Sequence, residues 1–425
     1  MKYSLKIGLD VGGTNTDAVL ICEEKVIATE KTPTSSENLD GSLWEVLQPL
    51  LHEARRTGTL TGLNLSTTLG TNLVVEQKLA PVGMLIESGP GLNPEFLRCG
   101  AHAIFLEGSI DHRGTEQSVP DLAKATLAGR EFQEHGISAV GIATKFSPRN
   151  PEHEIALSAS LGKGFSPITL GHTLSGRLNF PRRVFTTWLN SGVFSTFQKF
   201  ASALTARCLQ EGLSLPISIV KADGGLMGLP FATRQPVLSL GSGPAAGVMG
   251  GLSQHHFHED ALLLDIGGTT TDLAVLADGV PLLEPEGMTI GGIPTLIRAV
   301  AFRSIGIGGD SSVIPTRGCM PPKSHGWPRS SGVVLDSQRR TWTIGPQRTG
   351  PAYACGGPTP TPTDAMIVLG LCPLGNLSRA QEVISQLGQM IGKSLPETAT
   401  SILQHAARQI HGEAQGFLAK IHGRQ

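Results

Sequence analysis

"LLLDIGGTTTDLAVLADG", Leu262 to Gly279, repeats a pattern already met near the start of the chain, where "IGLDVGGTNTDAVLI" runs from Ile7 to Ile21. Each copy reads as an apolar strand ending in Asp10 or Asp265, a tight glycine turn, and a second apolar strand that follows Asp17 or Asp272. Apolar runs on either side of such a turn predict a β-hairpin. Gly12, Gly13, Gly267 and Gly268 carry no Cβ, so main-chain N–H groups can approach an anion closely. Thr14, Asn15 and Thr16, like Thr269, Thr270 and Thr271, add hydroxyl or amide donors at the same point. One copy alone is equally well read as a hairpin whose Asp and Thr side chains bond their own backbone. Two copies in equivalent strand contexts favour a phosphate-binding turn.

A carboxylate at Asp10 or Asp265 repels bare phosphate unless a cation stands between them. Mg2+ keeps several waters and takes only one or two carboxylates plus phosphate oxygens, which suits this arrangement. The residues therefore point to a metal-nucleotide. Two such hairpins make sense if an ancestral α/β domain was duplicated and its copies face each other across a cleft, each giving one turn to the phosphates.

Bulk properties agree. A chain of 425 residues is long enough for two or three domains. Its 34 Lys and Arg against 35 acids leave a net charge of -1, which argues against nucleic acid as a partner. The six cysteines are scattered with no Cys-x-x-Cys pair, so neither a disulfide framework nor a structural zinc site is expected, and a reducing cytoplasm fits. The N-terminus enters a strand-like run at once, without a leader-like apolar core, and no stretch reaches the ~20 apolar residues that cross a bilayer. The expected protein is soluble and cytoplasmic.

Between the hairpins, strand and helix signals alternate, as in α/β proteins. "STTLGTNLVVEQKLAPVGMLIES" predicts a cap at Ser66 or Thr67, a helix through Glu76 and a strand over Val82–Ile86. A strand through Ala143, a helix from near Pro151, a long helix from about Arg183 to Glu211 and a strand over Ile217–Val220 follow. "SLGSGPAAGVMGGL" is a glycine-rich turn opening a helix near Pro244, and "HHFHED", His255 to Asp260, reads as a solvated loop. Thr316 to Gly332 reads as an exposed loop, and a second long loop leads into a helix capped at Thr363 or Asp364.

Taken in order, "LDVGGTNTD", "TTLGTN" with "VEQK", "NPEHE", "ADGGLM", "SGPAAGV", "LDIGGTTTD", "SIGIGGDS", "GPAYACGG" and "PTPTDA" resemble the hydantoinase/oxoprolinase family, the A-type subunits of ATP-dependent cyclic-amide hydrolases. The resemblance runs from Ile7 to about Gly370. It implies an α/β fold of duplicated actin-like, ribonuclease H-like ATPase domains flanking a nucleotide cleft. Residues 1–185 would form the N-terminal domain with the first hairpin, and 186–425 a second ATPase-like domain. It also implies ATP and Mg2+, a small cyclic amide as substrate, and a separate B-type subunit as partner. Asp10 and Asp265 would hold Mg2+ through its waters or orient the attacking group, with Asp17 and Asp272 as outer or alternative ligands. The turn glycines, Thr14, Asn15, Thr16, Thr269, Thr270 and Thr271 would contact phosphate, and Gly241, Gly243 and Gly247 would permit close backbone approach. Thr71, Asn72, Lys145, Asn150, Glu152, His153, Glu154, Asp223 and Asp310 lie on matched segments and are substrate candidates. Read without the family, Asp223 caps the Gly224-Gly225 turn and His153 is an exposed polar residue on a new helix.

The family pattern continues into a further strand and glycine turn of the adenosine pocket, whereas this sequence stops at Gln425, a second domain shortened at its C-terminus. Either another glycine turn, for instance around Gly306 to Gly309 with Gly308 and Gly309 as cofactor-binding candidates, serves the adenine, or the second domain is incomplete. Two other readings stay open: a carboxylase subunit or small-molecule kinase of the same superfamily, and a non-catalytic nucleotide-binding partner protein.

Overall fold

The computed structural model of the chain describes residues 3–13, 15–34, 39–255, 257–315 and 342–422. Thr14 and the loop expected over Thr316 to Gly332 lie outside the described residues, as does His256 of the "HHFHED" segment. Two compact units emerge: Met1–His255 with Leu282–Ala301, and His256–Pro281 with Phe302–Gln425.

Strand period sets the first unit. In β1 (Tyr3–Val11), Leu5, Ile7, Leu9 and Val11 are buried on one face while Lys6, Gly8 and Asp10 take the other. β2 (Asn15–Cys22) and β3 (Lys25–Pro33) follow antiparallel, and β4 (Gly58–Thr67) returns parallel on the far side of β1. Ile217–Val220 pairs parallel with β4, and Leu226–Gly228 closes the six-stranded sheet. Helices Leu39–Thr57 and Phe180–Gln210 contribute to the core beneath it, where Leu43, Leu47 and Leu50 meet Ile7, Leu65, Phe197 and Leu204.

A second, four-stranded parallel sheet joins β5 (Val82–Glu87), β6 (His102–Phe105), Ala139–Thr144 and Ile168–Leu170. Every residue of β5 and of Ala139–Thr144 is buried, the mark of strands covered on both faces. Leu282–Ala301 belongs with this unit through specific bonds. Arg182 donates to the carbonyls of Gly287 and Thr295, Arg177 to that of Pro285, and Val300 N–H to that of Ala222.

The second unit opens on the hairpin Ala261–Ile266 and Thr271–Ala277, extended antiparallel by Val280–Pro281 and Phe302–Ile305. Helices Leu377–Ile391 and Leu395–His422 carry Ile384, Leu387 and Ile402 into a core with Trp342 and Val313. The short helix Pro362–Val368 is capped by Thr361, two or three residues before the expected Thr363 or Asp364. Asp364 stands at the third helical position and completes a reciprocal capping box. Most other expected elements are present: helix Leu69–Val75, behind Thr68 and not the expected Ser66 or Thr67, helix Glu152–Ser160 behind Pro151, and helix Ser242–Gln254 behind Gly241.

The mixed α/β class is as expected. A boundary at residue 185 falls inside the helix Phe180–Gln210, whose buried positions run from Phe180 to Cys208, so the compact units divide elsewhere. Among the described residues, no helix is long and apolar enough to cross a membrane.

Candidate functional site

The two hairpins fold in the same register. Asp10 pairs with Asp17 and Val11 with Thr16 in the first, Asp265 with Asp272 and Ile266 with Thr271 in the second. Each turn is closed by its first glycine, Gly12 N–H donating to Asn15 O at 3.0 Å and Gly267 N–H to Thr270 O at 2.9 Å. A Cβ on Gly12 would lie 2.9 Å from Asn15 O, so the tight turn requires glycine there. Directly opposed residues of an antiparallel pair share a face. The two aspartates of each hairpin therefore stand together, on the face away from the buried Val11 and Leu273.

The same parity turns two expected phosphate donors inward. Thr16 is buried and shares a 2.9 Å hydrogen bond with the Thr34 hydroxyl; Thr271 is buried and donates to Ile307 O at 2.7 Å. Both hold the strands together and present no hydroxyl at the turn.

Around the first turn, three distant segments converge. Ser66 Oγ donates to Asp10 Oδ1 at 2.6 Å, Thr68 N–H and Oγ1 bond Val11 O, and the Asn72 amide nitrogen would be 3.4 Å from a Cβ on Gly13. Thr71 Oγ1 accepts the Gly241 N–H at 3.1 Å, and Ser242 Oγ bonds both the N–H and the carbonyl of Thr67. Gly241, at φ +81°, begins the helix Ser242–Gln254 without a side-chain cap of its own. Gly243 lies beside Thr68, where an added Cβ would be 3.5 Å from Cγ2. Thr71 and Asn72 thus belong with Gly12, Gly13, Gly241 and Gly243. Asp17 is engaged otherwise: Lys31 Nζ sits 2.8 Å from its carboxylate and already supplies a positive charge.

The second turn is wrapped by the loop that follows Ile305. Gly309 N–H donates to Gly267 O at 2.9 Å and Asp310 N–H to Gly268 O at 2.7 Å. Gly308 packs so closely that a Cβ would meet Gly267 O and Gly268 C at 2.6 Å, and Thr363 Oγ1 anchors Gly309 O at 2.8 Å. Gly308 and Gly309 therefore brace this turn, and Asp310 stands beside it. Arg348, which carries no pattern in the sequence and sits in a Pro/Gly-rich stretch, donates to Thr269 Oγ1 at 3.1 Å and to Asp310 Oδ2 at 3.2 Å. Burial holds the Asp310 carboxyl above its ordinary value although Arg348 pulls it down.

The second hairpin's donors fit a cation. Asp272 Oδ1 is buried with no hydrogen-bond partner. Burial pushes its carboxyl above the ordinary value; a hydrogen bond with Ser304 opposes this, and the Asp265 charge adds to the rise. An unsatisfied oxygen beside a second carboxylate is what a hydrated Mg2+ would complete. Among the described residues, no group of three or more His, Cys, Asp and Glu is placed to hold a metal ion.

Other candidates lie apart from the turns. Asp223 caps its own turn, accepting Gly225 N–H at 3.1 Å and Lys221 Nζ at 3.2 Å. Lys145, at the end of Ala139–Thr144, donates to Pro90 O at 3.0 Å. Asn150 bonds Gly114 O and Glu152 N–H. His153, expected on the surface, is 1% exposed because Glu87, at the end of β5, takes its Nδ1 at 2.8 Å, while Glu116 meets Nε2 at 3.1 Å. Burial raises the Glu87 carboxyl, and His153 counters that. Glu154, fully buried, accepts Thr144 N–H and His172 Nδ1 near Arg183, whose guanidinium burial lowers to about 10. This second polar cluster was not legible as such, since its partners come from five separate segments.

A model of the hydantoinase/oxoprolinase family matches residues 183–414, and one of the hydantoinase/oxoprolinase N-terminal region matches residues 6–163. Caprolactamase subunit alpha of Pseudomonas jessenii is 23% identical over 95% of this chain and 61% of its own length. Acetophenone carboxylase gamma subunit of Aromatoleum aromaticum is 22% identical over 93% and 58%. Among solved structures, nucleotide-free acetone carboxylase has a TM-score of 0.74 at 17% identity, over 99% of this chain and 63% of that one. ATP-dependent caprolactamase from Pseudomonas jessenii has 0.72 at 21% identity, over 97% and 63%. The chain therefore shares their fold and spans about six-tenths of the length of the relatives it matches.

Proposed function

The chain belongs to the hydantoinase/oxoprolinase family, and from that premise we propose that it is the ATP-binding, A-type subunit of an enzyme that opens a cyclic amide. The observation that carries this reading is the pair of hairpins in identical register, each with two aspartates beside a glycine turn. An amide resists water because resonance makes its carbon a poor electrophile and its nitrogen a poor leaving group. Transfer of the γ-phosphoryl group to the amide oxygen gives an O-phosphorylated imidate. Water then adds at carbon, collapse of the adduct breaks the C–N bond with the nitrogen leaving protonated, and a second water hydrolyses the acyl phosphate that remains, giving carboxylate and phosphate.

In this scheme Gly12, Gly13, Asn15, Gly241, Gly243, Gly267, Gly268, Thr269 and Thr270 would bind polyphosphate oxygens through backbone and side-chain donors, and Thr14, next to Asn15 in the sequence, is a further candidate donor. Asp265 and Asp272 would hold Mg2+, and Asp10, fixed by Ser66, would face the first turn's phosphate or orient the attacking group. Mg2+, when bound, neutralises phosphate charge; positioning and electrostatics account for most of such a transfer. A cytoplasmic setting suits Cys22, Cys99, Cys208, Cys355 and Cys372, which are all free thiols.

A carboxylase subunit is the second reading, favoured by the likeness to the acetone and acetophenone carboxylases. The same activation of a carbonyl oxygen serves both reactions. Calorimetry with Mg-ATP on the chain and on Asp265→Ala tests the shared premise: micromolar binding that the substitution weakens at least tenfold is expected. Phosphate release dependent on a cyclic amide, assayed with a B-type subunit, then supports the hydrolase; release dependent on a ketone and bicarbonate replaces it with the carboxylase. A cooperatively folded chain that binds no nucleotide refutes both.

A further inference from the structure

The geometry points to Arg348 as a phosphate-binding residue of the second turn, held ready by Asp310 and Thr269. The inference deepens the proposed function and rests on it. Three observations within this unit carry it. First, the guanidinium bridges a side chain of the turn and an acid beside it: one nitrogen is 3.1 Å from Thr269 Oγ1 and another 3.2 Å from Asp310 Oδ2. Second, the turn's carbonyls are occupied, Gly267 O by Gly309 N–H and Gly268 O by Asp310 N–H, whereas the Gly268 and Thr269 N–H groups have no acceptor among the described residues. A glycine turn with its carbonyls bound and its N–H groups open is an anion cradle, and a cation is placed at its rim. Third, Asp310 packs against Gly268 so tightly that a Cβ there would meet Oδ2 at 2.8 Å. An uncompensated carboxylate at that distance would repel phosphate, and the Arg348 charge cancels it.

The Arg348 fork has five donors in one plane, enough to keep a nitrogen on Asp310 while another exchanges Thr269 Oγ1 for a phosphate oxygen. No covalent change is required. Thr269 Oγ1, released as an acceptor, is then free to donate to the same anion. The Arg348 side chain is 27% exposed and that of Asp310 19%, so the pair is reachable by a ligand without unfolding.

Calorimetric titration of the full chain with Mg-ATP tests this, using wild type, Arg348→Gln, Arg348→Lys and the double variant Arg348→Gln with Asp310→Asn. Loss of a charge-assisted phosphate contact is expected to weaken ATP binding by about tenfold or more in Arg348→Gln, with partial recovery in Arg348→Lys. The double variant separates contact from charge masking: a direct contact leaves it weak, whereas restored binding shows that Arg348 only shields Asp310 and overturns the inference. Unchanged affinity in Arg348→Gln overturns it too, while leaving the ATP-binding reading intact. A folded wild type that binds no ATP removes that reading and this inference together. Ligand-free melting of Arg348→Gln within a few degrees of wild type confirms that the loss is one of binding.

Discussion

The Asp272 carboxylate illustrates how one residue links structure to chemistry. Its folded pKa is raised, so ionisation opposes folding: whatever stability the group gives is full below the ordinary value of 3.8 and is lost as pH rises through the raised one. At neutral pH the charge is held at a cost that a bound cation would relieve. Asp272→Asn is therefore expected to raise the melting temperature of the ligand-free chain, and to abolish the extra stabilisation that Mg2+ gives with ATP. In the wild type, Mg2+-dependent binding should weaken on acidification at a higher pH than an ordinary carboxylate would require, because protons compete for the same oxygen. His153 makes the opposite case, a pair that must not be broken. Removing it leaves Glu87 buried without its partner, so His153→Ala should cost about 3–5 kcal/mol in urea denaturation. Glu116→Gln should cost about 0–1 kcal/mol, since that side chain is 48% exposed. The burial of Thr16 and Thr271 was readable from strand parity alone: if the aspartates face one way, their neighbours face the other. The burial of His153 was not, because Glu87 and Glu116 reach it from distant segments.

The two hairpins carry most of the legible information at the scale of elements. Their apolar runs fixed strand, turn and strand, and the observed registers follow. The brace around the second turn was invisible as such, since Gly308 and Gly309 read only as another glycine turn. It predicts sharp positional differences among glycines. Gly308→Ala places a Cβ 2.6 Å from backbone that cannot move aside; about 1–3 kcal/mol of destabilisation and a loss of ATP affinity are expected, by denaturant melts and calorimetry. Gly412→Ala, in the helix Leu395–His422 with nothing within 4 Å, should instead stabilise by about 0.5–1 kcal/mol on helix propensity. Equal effects at the two sites would contradict the packing described around the turn.

Across the whole molecule, ligand linkage offers the broadest check. ATP that binds only the folded chain should stabilise it by about 2.7 kcal/mol at a free concentration of one hundred times its Kd, seen as a rise in melting temperature with Mg-ATP. A variant of either proposed phosphate turn, Gly13→Asp or Gly268→Asp, should erase that rise; a rise that survives one of them would show that its turn is not used. The sequence by itself determined the α/β class, the duplicated hairpin, the glycine positions and the family, because strand period, turn stereochemistry and ordered motifs are local and survive as patterns. Only the tertiary structure decided that Leu282–Ala301 returns to the first unit through Arg177 and Arg182, that Asp17 pairs with Lys31, and that Arg348 stands over the second turn. The arginines reach residues far away in the chain, and Lys31 meets Asp17 only once β2 and β3 pair in register; the energy of such contacts depends on what folding brings alongside and leaves no period for a sequence to display.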